Sequence, residues 1–179
     1  MNIIIRGYLS GSFVLQQEPG VWNVIVILDS GLTHTDFVSE NAIKHIYLRF
    51  DDVDRHMTGK RLTQLQDLKR ALNFARGSSN LMVCCRAGQS RSAAVAFVIA
   101  CSLKGYEAAA AMLNPARHSP NSVVVALGAE ALGDPLVMQT LHDWRKANQG
   151  VVLLDFISEI EREFDELEAA GAINRIIKR

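Results

Sequence analysis

The chain has 179 residues, of which 49% are hydrophobic, and its 19 Lys and Arg residues balance 19 Asp and Glu residues to a formal net charge of zero. A chain of this length buries about 70% of the surface that its unfolded form exposes, so it can fold as one compact domain without a disulfide or a metal. The balanced charge excludes a broad basic surface for nucleic acid or an anionic membrane. No apolar run is long enough for a signal peptide or a membrane span, so we expect a cytoplasmic protein.

Four short segments rich in Val, Ile and Leu predict strands, at residues 2–5, 23–28, 44–49 and 81–84. Two of them are continuously apolar, which is typical of a sheet covered on both faces. The helical patterns between the segments indicate crossover connections and parallel pairing. We therefore expect an α/β domain with a mainly parallel sheet of four or five strands flanked by helices.

The remaining segments predict helices. Leucines recur at three- and four-residue spacing over residues 62–75, which is typical of an amphipathic helix. Residues 93–103 are apolar almost all round and predict a buried helix. Three further helices are predicted at residues 107–113, 122–132 and 135–146, separated by Pro and Gly residues. The C-terminal half is therefore expected to be helical.

Residues 150–179 differ in character from residues 1–149, which we take as the main domain. Acidic residues surround an apolar seam, about two heptads long, made of Leu153, Ile157, Ile160, Phe164 and Leu167. A coiled coil is identified from three or four heptads. We therefore favour a helix that docks on its own domain, and we retain a homodimer through residues 151–169 as the alternative.

The cysteines point to one segment. Three of them, Cys84, Cys85 and Cys101, are too few for a disulfide scaffold. The run Cys85-Arg86-Ala87-Gly88-Gln89-Ser90-Arg91-Ser92 follows an apolar strand and precedes a buried helix. In α/β folds, ligands bind beyond the carboxyl ends of the strands, at helix N-termini whose unpaired N–H groups attract anions. The run therefore predicts a phosphate site.

Cys85 and Arg91 supply the reactive groups of this site. Arg91 offers a planar fork that matches two phosphate oxygens. A helix N-terminus and a nearby cation favour the thiolate over the thiol, so the features that bind phosphate also prepare Cys85 as a nucleophile. Ser92 is placed to donate a hydrogen bond to its sulfur. Cys84 and Cys101 fit the core, where free cysteine is common.

The segment from Cys85 to Ser92 resembles the Cys-x5-Arg-Ser/Thr signature of the cysteine-based protein tyrosine phosphatase superfamily. Its Ala-Gly-x-Ser-Arg-Ser form is similar to the dual-specificity branch, and residues 114–132 with the preceding layout resemble small bacterial tyrosine phosphatases. The resemblance covers roughly residues 20–148 and implies a phosphotyrosine protein phosphatase-like fold. It implies hydrolysis of protein phosphotyrosine, and also of phosphoserine or phosphothreonine.

The resemblance also implies a role for each loop residue. Cys85 would attack phosphorus to form a phosphocysteine intermediate, Arg91 and the loop amides would hold the oxygens, and Ser92 would stabilise the departing sulfur. The substrate-binding residues are Arg86, Ala87, Gly88, Gln89, Ser90 and Arg91. This is nucleophilic catalysis with electrostatic stabilisation, and it needs no metal or other cofactor. The five histidines, His34 among them, show no metal-ligand spacing.

The family also uses an aspartic acid on a loop before the cysteine, which protonates the leaving oxygen and later activates water. Asp51, Asp52 and Asp54 follow the third predicted strand, and Asp52 lies 33 positions before Cys85. Asp52 is the expected acid, because Phe-x-Asp followed by an aliphatic residue is the pattern of the bacterial relatives. Asp51 is the second candidate and Asp54 the third.

Other functions fit parts of the sequence. The same chemistry could act on a phosphoinositide, a nucleotide or another small phosphate, but lipid-directed relatives tend to carry lysines where this loop has Arg86, Ala87 and Gln89. Most family members have histidine at the position of Cys84, and its absence keeps open a catalytically weak module that binds a phosphorylated partner. Rhodanese or arsenate reductase chemistry is disfavoured, because rhodanese loops are shorter and the related reductases place their loop near the N-terminus.

Overall fold

The computed structural model describes residues 1–32 and 41–169. Its sheet has four strands in these ranges: β1 (Asn2–Gly7), β2 (Asn23–Leu28), β3 (Lys44–Arg49) and β4 (Asn80–Cys85). All pair in parallel, in the order β1-β4-β2-β3. The predicted strands are confirmed, and β4 lies inside the sheet between β1 and β2. His34 and residues 170–179 lie outside the described ranges.

The described helices are α1 (Tyr8–Gln17), α2 (Leu65–Ala75), α3 (Arg91–Lys104), α4 (Tyr106–Met112), α5 (Ser122–Leu132), α6 (Leu136–Ala147) and α7 (Phe156–Ala169). They confirm the predicted α/β class with its helical C-terminal half. Helix α2 begins later than the leucine pattern predicts, because Gln64 and Asp67 form a capping box that fixes its start. None of the helices in the described ranges is long and apolar enough to cross a membrane.

Helix α1 is not predicted by the sequence pattern. Its ten residues include no charged side chain, so no polar face stands out against an apolar one. Its small residues Gly11 and Ser12 are buried together with Leu15, which lets the helix pack closely. Tertiary packing, and not an amphipathic pattern, therefore stabilises this helix.

The two adjacent cysteines face opposite sides of the sheet, because successive residues of a strand alternate between its faces. Cys85 belongs to the larger apolar cluster with Ile25 and with Phe97 of α3. Cys84 lies in the smaller cluster on the other face, with Leu15 of α1 and Trp22. Burial raises the pKa of Cys84 well above the ordinary thiol value.

Helix α7 packs against α1 and is tied to the rest of the chain by two buried carboxylates. Glu163 accepts a hydrogen bond from the Gly7 N–H at 3.1 Å and another from Ser10 Oγ. Glu159 accepts from the Arg117 guanidinium at 2.6 Å and also pairs with Arg162. These are the contacts of a docked helix. The homodimer through residues 151–169 stays a prediction.

Candidate active site

The site is built on the connection between β4 and α3, which we call the phosphate loop and define as residues 85–91. Strand β4 brings Cys85 to the carboxyl edge of the sheet, in register with Gly7 of β1. Arg91 and Ser92 then open α3 and are both buried. The free N–H groups and the positive dipole end of α3 therefore meet the end of a central strand, which is the usual anion position in a parallel α/β sheet.

Gly88 allows the phosphate loop to turn tightly and to pass close to the end of β1. Its φ of +72° lies in the left-handed region, where a side chain costs roughly 1–2 kcal/mol. A Cβ at this position would lie 2.6 Å from the Gly7 nitrogen and 2.7 Å from the Arg6 carbonyl carbon. Only glycine fits both the conformation and the space.

The loop surrounds Cys85 with donors. The Cys85 side chain is only 2% exposed, and its Sγ lies 3.0 Å from Ser92 Oγ. Over residues 1–32 and 41–169, none of the backbone N–H groups of residues 87–90 donates to a backbone carbonyl. Buried or half-buried N–H groups usually have a partner, so these amides are available to an anionic ligand.

Arg91 is held from one side and open on the other. Its guanidinium is almost fully buried, and Nη1 donates to the Phe50 carbonyl at 2.8 Å and pairs with Asp29 Oδ1 at 2.7 Å. Nε is buried and has no hydrogen-bond partner within the described ranges. Because Nε and Nη2 donate in parallel, this edge of the guanidinium fits two oxygens of a phosphate.

Charge keeps Arg91 protonated despite its burial. Burial alone lowers the pKa of Arg91, but the neighbouring Cys85 and Asp29 outweigh it and raise the pKa above the ordinary value. The site therefore contains a permanent cation. Arg86, at the outer part of the loop, is exposed.

Of the three candidate acids Asp51, Asp52 and Asp54, Asp52 is the one that the structure brings to the loop. Its Oδ1 accepts hydrogen bonds from Ser90 Oγ at 2.8 Å and from Asn121 Nδ2 at 3.0 Å. Its Oδ2 lies 4.0 Å from Arg91 Nε, and the side chain is 40% exposed. Asp52 is thus within reach of both the loop and solvent.

Asp51 points elsewhere and has a different role. Its carboxylate is buried and accepts hydrogen bonds from Ser30 Oγ, from Lys60 Nζ at 3.1 Å and from the Arg61 N–H at 2.8 Å. Burial acts to raise the pKa of Asp51, but these donors outweigh it and lower the pKa to about 2. Asp51 therefore braces the segment that carries Asp52. Asp54 is exposed.

Gln89 of the phosphate loop contacts the C-terminal segment. Its side-chain Nε2 donates to the Leu154 carbonyl at 2.6 Å, and its backbone carbonyl accepts from the Ser119 N–H at 2.9 Å. The Leu154 N–H in turn donates to the Ala116 carbonyl at 3.1 Å. The side chain of Gln89 thus fixes the chain beside the loop, while its backbone belongs to the ring of amides.

Three residues of this site do not stand out in the sequence. Asp29 directly follows β2, so the rule that ligands lie beyond strand ends could have found it. Tyr8 opens the unpredicted helix α1, and its N–H donates to the Arg86 carbonyl at 3.3 Å; burial raises its pKa. Asn121 caps α5 and lies 69 positions from Asp52 along the chain, so no local pattern connects the two residues.

Within the described ranges, no cluster of His, Cys, Asp and Glu residues is arranged to hold a metal ion. No protein-family model and no curated protein sequence matches the chain.

Several solved structures are similar to the chain at low identity. Tk-PTP in its active form has 12% identity and a TM-score of 0.45, over 94% of this chain and 92% of the other. The Yvh1 phosphatase domain from Chaetomium thermophilum has 16% identity and a TM-score of 0.45, over 96% and 92%. Human DUSP28 has 15% identity and a TM-score of 0.42, over 94% of each chain. Because these identities and TM-scores are low, the function rests on the site itself.

Proposed function

We propose that the protein hydrolyses phosphate monoesters through a phosphocysteine intermediate without a metal, and that its substrates are phosphotyrosine and also phosphoserine or phosphothreonine in proteins. The observation that carries this proposal is the pairing of a buried thiol with a buried, unsatisfied arginine N–H. Cys85 and Arg91 are both buried at the two ends of one loop, in which residues 87–90 donate no N–H to a backbone carbonyl of the described ranges. A buried donor without a partner costs about 1–3 kcal/mol, and a phosphate oxygen would satisfy it.

In the first step, the Cys85 thiolate attacks phosphorus and an S–P bond forms as the P–O bond to the leaving group breaks. The Asp52 carboxyl gives its proton to the leaving oxygen. The loop amides and Arg91 hold the three phosphoryl oxygens, whose charge is spread out in the transition state. The alcohol then leaves and the phosphoryl group stays on sulfur.

In the second step, water replaces the thiolate. The Asp52 carboxylate accepts a proton from the water, whose oxygen forms a new bond to phosphorus while the S–P bond breaks. The electron pair returns to sulfur, where the Ser92 hydroxyl, 3.0 Å away, donates a hydrogen bond to the thiolate. Inorganic phosphate leaves, and Asp52 is again protonated.

Hydrolysis of 4-nitrophenyl phosphate in the presence of EDTA tests the proposal. We expect turnover by the wild type, loss of turnover in Cys85→Ser, and retention in the matched control Cys101→Ser, which changes a core thiol of α3. Acid quenching during turnover of a 32P-labelled phosphotyrosine peptide should leave the label on the peptide that contains Cys85. Undiminished turnover by Cys85→Ser would refute the phosphocysteine route.

The phosphate-binding module is the competing outcome. It predicts that both the wild type and Cys85→Ser bind the phosphotyrosine peptide tightly and that neither releases phosphate. Calorimetry with the same peptide, run beside the turnover assay, separates the two functions.

One observation favours a phospholipid headgroup as a second substrate class. Residues 151–154 are all exposed and apolar, and Val152 is 84% exposed. Hydrogen bonding of the Leu154 carbonyl to Gln89 places this segment next to the phosphate loop. An apolar surface of this kind suits acyl chains beside a bound headgroup. Release of phosphate from phosphoinositide vesicles, compared with the phosphotyrosine peptide, ranks the two classes.

A further inference from the structure

Asn121 holds two distant parts of the chain with one side chain. Its Oδ1 accepts from the Val123 N–H at 3.0 Å and the Val124 N–H at 3.2 Å, which caps α5. Its Nδ2 donates to Asp52 Oδ1 at 3.0 Å and to the Val53 carbonyl at 3.3 Å. Because the cap requires an oxygen acceptor, the amide can take only one orientation, and its donor must face Asp52.

The same contacts make the two oxygens of Asp52 unequal. Oδ1 already accepts from both Ser90 Oγ and Asn121 Nδ2. Oδ2 lies on the side of Arg91, 4.0 Å from the unpartnered Nε. A protonated carboxyl has one O–H, and the oxygen that accepts two hydrogen bonds is the poorer place for it. The proton therefore belongs on Oδ2, the oxygen on the side of Arg91 Nε, where the proposed function puts the phosphate.

We propose that Asn121 is a positioning residue for the acid step, which aims Asp52 Oδ2 and its proton at the leaving oxygen. The proposal deepens the proposed function and rests on it. Ser90 supports the same oxygen from the phosphate loop, and the Asn121 N–H also donates to the Ser90 carbonyl at 3.5 Å. Asp52 is thus held between the loop and the start of α5.

Such a role has a signature that a purely structural role lacks. Protonation of the leaving oxygen matters most when the leaving group is a strong base, such as a phenol with a pKa near ~10. It matters little for 4-nitrophenyl phosphate, whose leaving anion is stabilised by the nitro group. Loss of correct aim should therefore slow phenyl phosphate much more than 4-nitrophenyl phosphate.

The test uses two substitutions that keep the helix cap. Asn121→Ser retains a good capping oxygen but is too short to reach Asp52. Asn121→Asp keeps both the cap and the length but replaces the amide donor with an acceptor against Asp52. We compare kcat/KM, which reports the step in which the leaving group departs and not the later attack of water, a step common to both substrates. For each variant we expect kcat/KM on phenyl phosphate to fall by about tenfold to a hundredfold, part of the ~10²–10⁴ that general acid catalysis supplies. We expect kcat/KM on 4-nitrophenyl phosphate to fall by less than about threefold, because its leaving group needs little protonation.

A double-mutant cycle then assigns the effect to Asp52. In the Asp52→Asn background, Asn121→Ser should have no further effect on phenyl phosphate, because the acid that it positions is already gone. Equal losses on both substrates, or a full loss that persists in the Asp52→Asn background, would overturn the positioning role. Urea unfolding of each variant shows whether the cap has survived.

The outcomes also separate this proposal from the function on which it rests. If Cys85→Ser abolishes turnover but Asn121→Ser shows no dependence on the leaving group, only the positioning role is wrong. If the wild type has no turnover, or if Cys85→Ser retains it, the proposed function fails and the role of Asn121 fails with it.

Discussion

The Asp29 carboxylate lies 2.7 Å from Arg91 Nη1, so the cation that faces the phosphate loop already carries a negative partner behind it. The Phe50 carbonyl occupies the same Nη1 at 2.8 Å. Both contacts lie on the edge of the guanidinium away from Nε. Asp29 therefore fixes the direction in which Arg91 presents its fork, and at the same time it places a negative charge near the phosphate.

Two substitutions of Asp29 should separate these effects. Asp29→Asn still accepts from Nη1 but removes the charge, so inorganic phosphate should inhibit about fivefold more strongly, as expected for ~1 kcal/mol of screened repulsion. Asp29→Ala releases the guanidinium, so phosphate binding should weaken and kcat/KM should fall. Inhibition constants for phosphate measure both. Equal inhibition of Asp29→Asn and Asp29→Ala would show that Asp29 does not orient Arg91.

Substitutions of the neighbouring residues Asp51 and Asp52 should have different effects on turnover and on stability. Asp52→Asn should lose about 10²–10⁴ of turnover on a phosphotyrosine peptide, because the general acid is gone, with little change in the free energy of unfolding. Asp51→Asn should retain most of its turnover but unfold at lower urea, because three donors lose their charged acceptor. If Asp51→Asn instead loses the turnover, the acid is assigned to the wrong residue.

The cost of Asp51→Asn should also depend on pH. The folded pKa of Asp51, about 2, lies below the unfolded value. Its carboxylate therefore adds stability above the unfolded pKa, and this stability disappears as pH falls through the folded pKa. The difference in unfolding free energy between the wild type and Asp51→Asn should shrink between about pH 5 and pH 2.

Gly88→Ala should disable the loop while the rest of the domain stays folded. The added Cβ would meet the Gly7 nitrogen at 2.6 Å as well as forcing alanine into a φ of +72°. We expect turnover and phosphate affinity to fall by more than about tenfold, from a cost above the ~1–2 kcal/mol of the left-handed conformation alone. Gly133→Ala is the matched control, because Gly133 has a φ of +64° with nothing within 4 Å of its added Cβ. Equal losses in the two variants would mean that the contact with Gly7 does not shape the site.

The sequence predicts the parts of this molecule that depend on local pattern. The apolar runs fix the strands, and the order Cys85, Gly88, Arg91 places a thiol, a tight turn and a cation at the start of a buried helix. Asn121 could not be predicted in the same way, because its contact with Asp52 joins residues 69 positions apart. Asp29 follows the end of a strand, where ligands are expected, but the strand order is needed to place Asp29 and Tyr8 beside Cys85, since β2 and β1 flank β4.

Helix α1 is another element that the sequence pattern does not predict. Its uncharged sequence has no periodicity to detect, and it is stable because it packs against the sheet on one side and α7 on the other. The sequence predicts the apolar seam of α7 but not the elements that α7 packs against. Glu159 and Glu163 look like ordinary acidic surface residues in the sequence. Their burial against Arg117 and Gly7 appears only in three dimensions.

The three cysteines should differ in reactivity toward iodoacetamide at pH 7. The thiolate is the reactive form, and burial raises the pKa of Cys84 well above the ordinary value and that of Cys101 to about 12. Cys85 should therefore be alkylated first, and inorganic phosphate should slow its alkylation. Mass spectrometry of the digested protein measures each site. Faster labelling of Cys84 would contradict its place in the core, and so would a loss of turnover in Cys84→Ala.

Glu163 should make the stability of the domain depend on pH in the direction opposite to Asp51. Burial raises the pKa of Glu163 more than the donors Ser10 and Gly7 lower it, and its Oε2 has no partner in the described ranges. The folded state therefore favours the protonated form, which stabilises the protein below the ordinary Glu pKa of about 4.3, and this stability is lost as pH rises through the folded pKa. Glu163→Gln stays neutral and can still accept a hydrogen bond from the Gly7 N–H. Its unfolding free energy relative to the wild type should therefore increase as pH rises above the ordinary Glu pKa and through the raised pKa of the folded state. Glu161→Gln, an exposed change on the same helix, is the control. A flat difference for Glu163→Gln would mean that this carboxylate is not buried against α1 in solution.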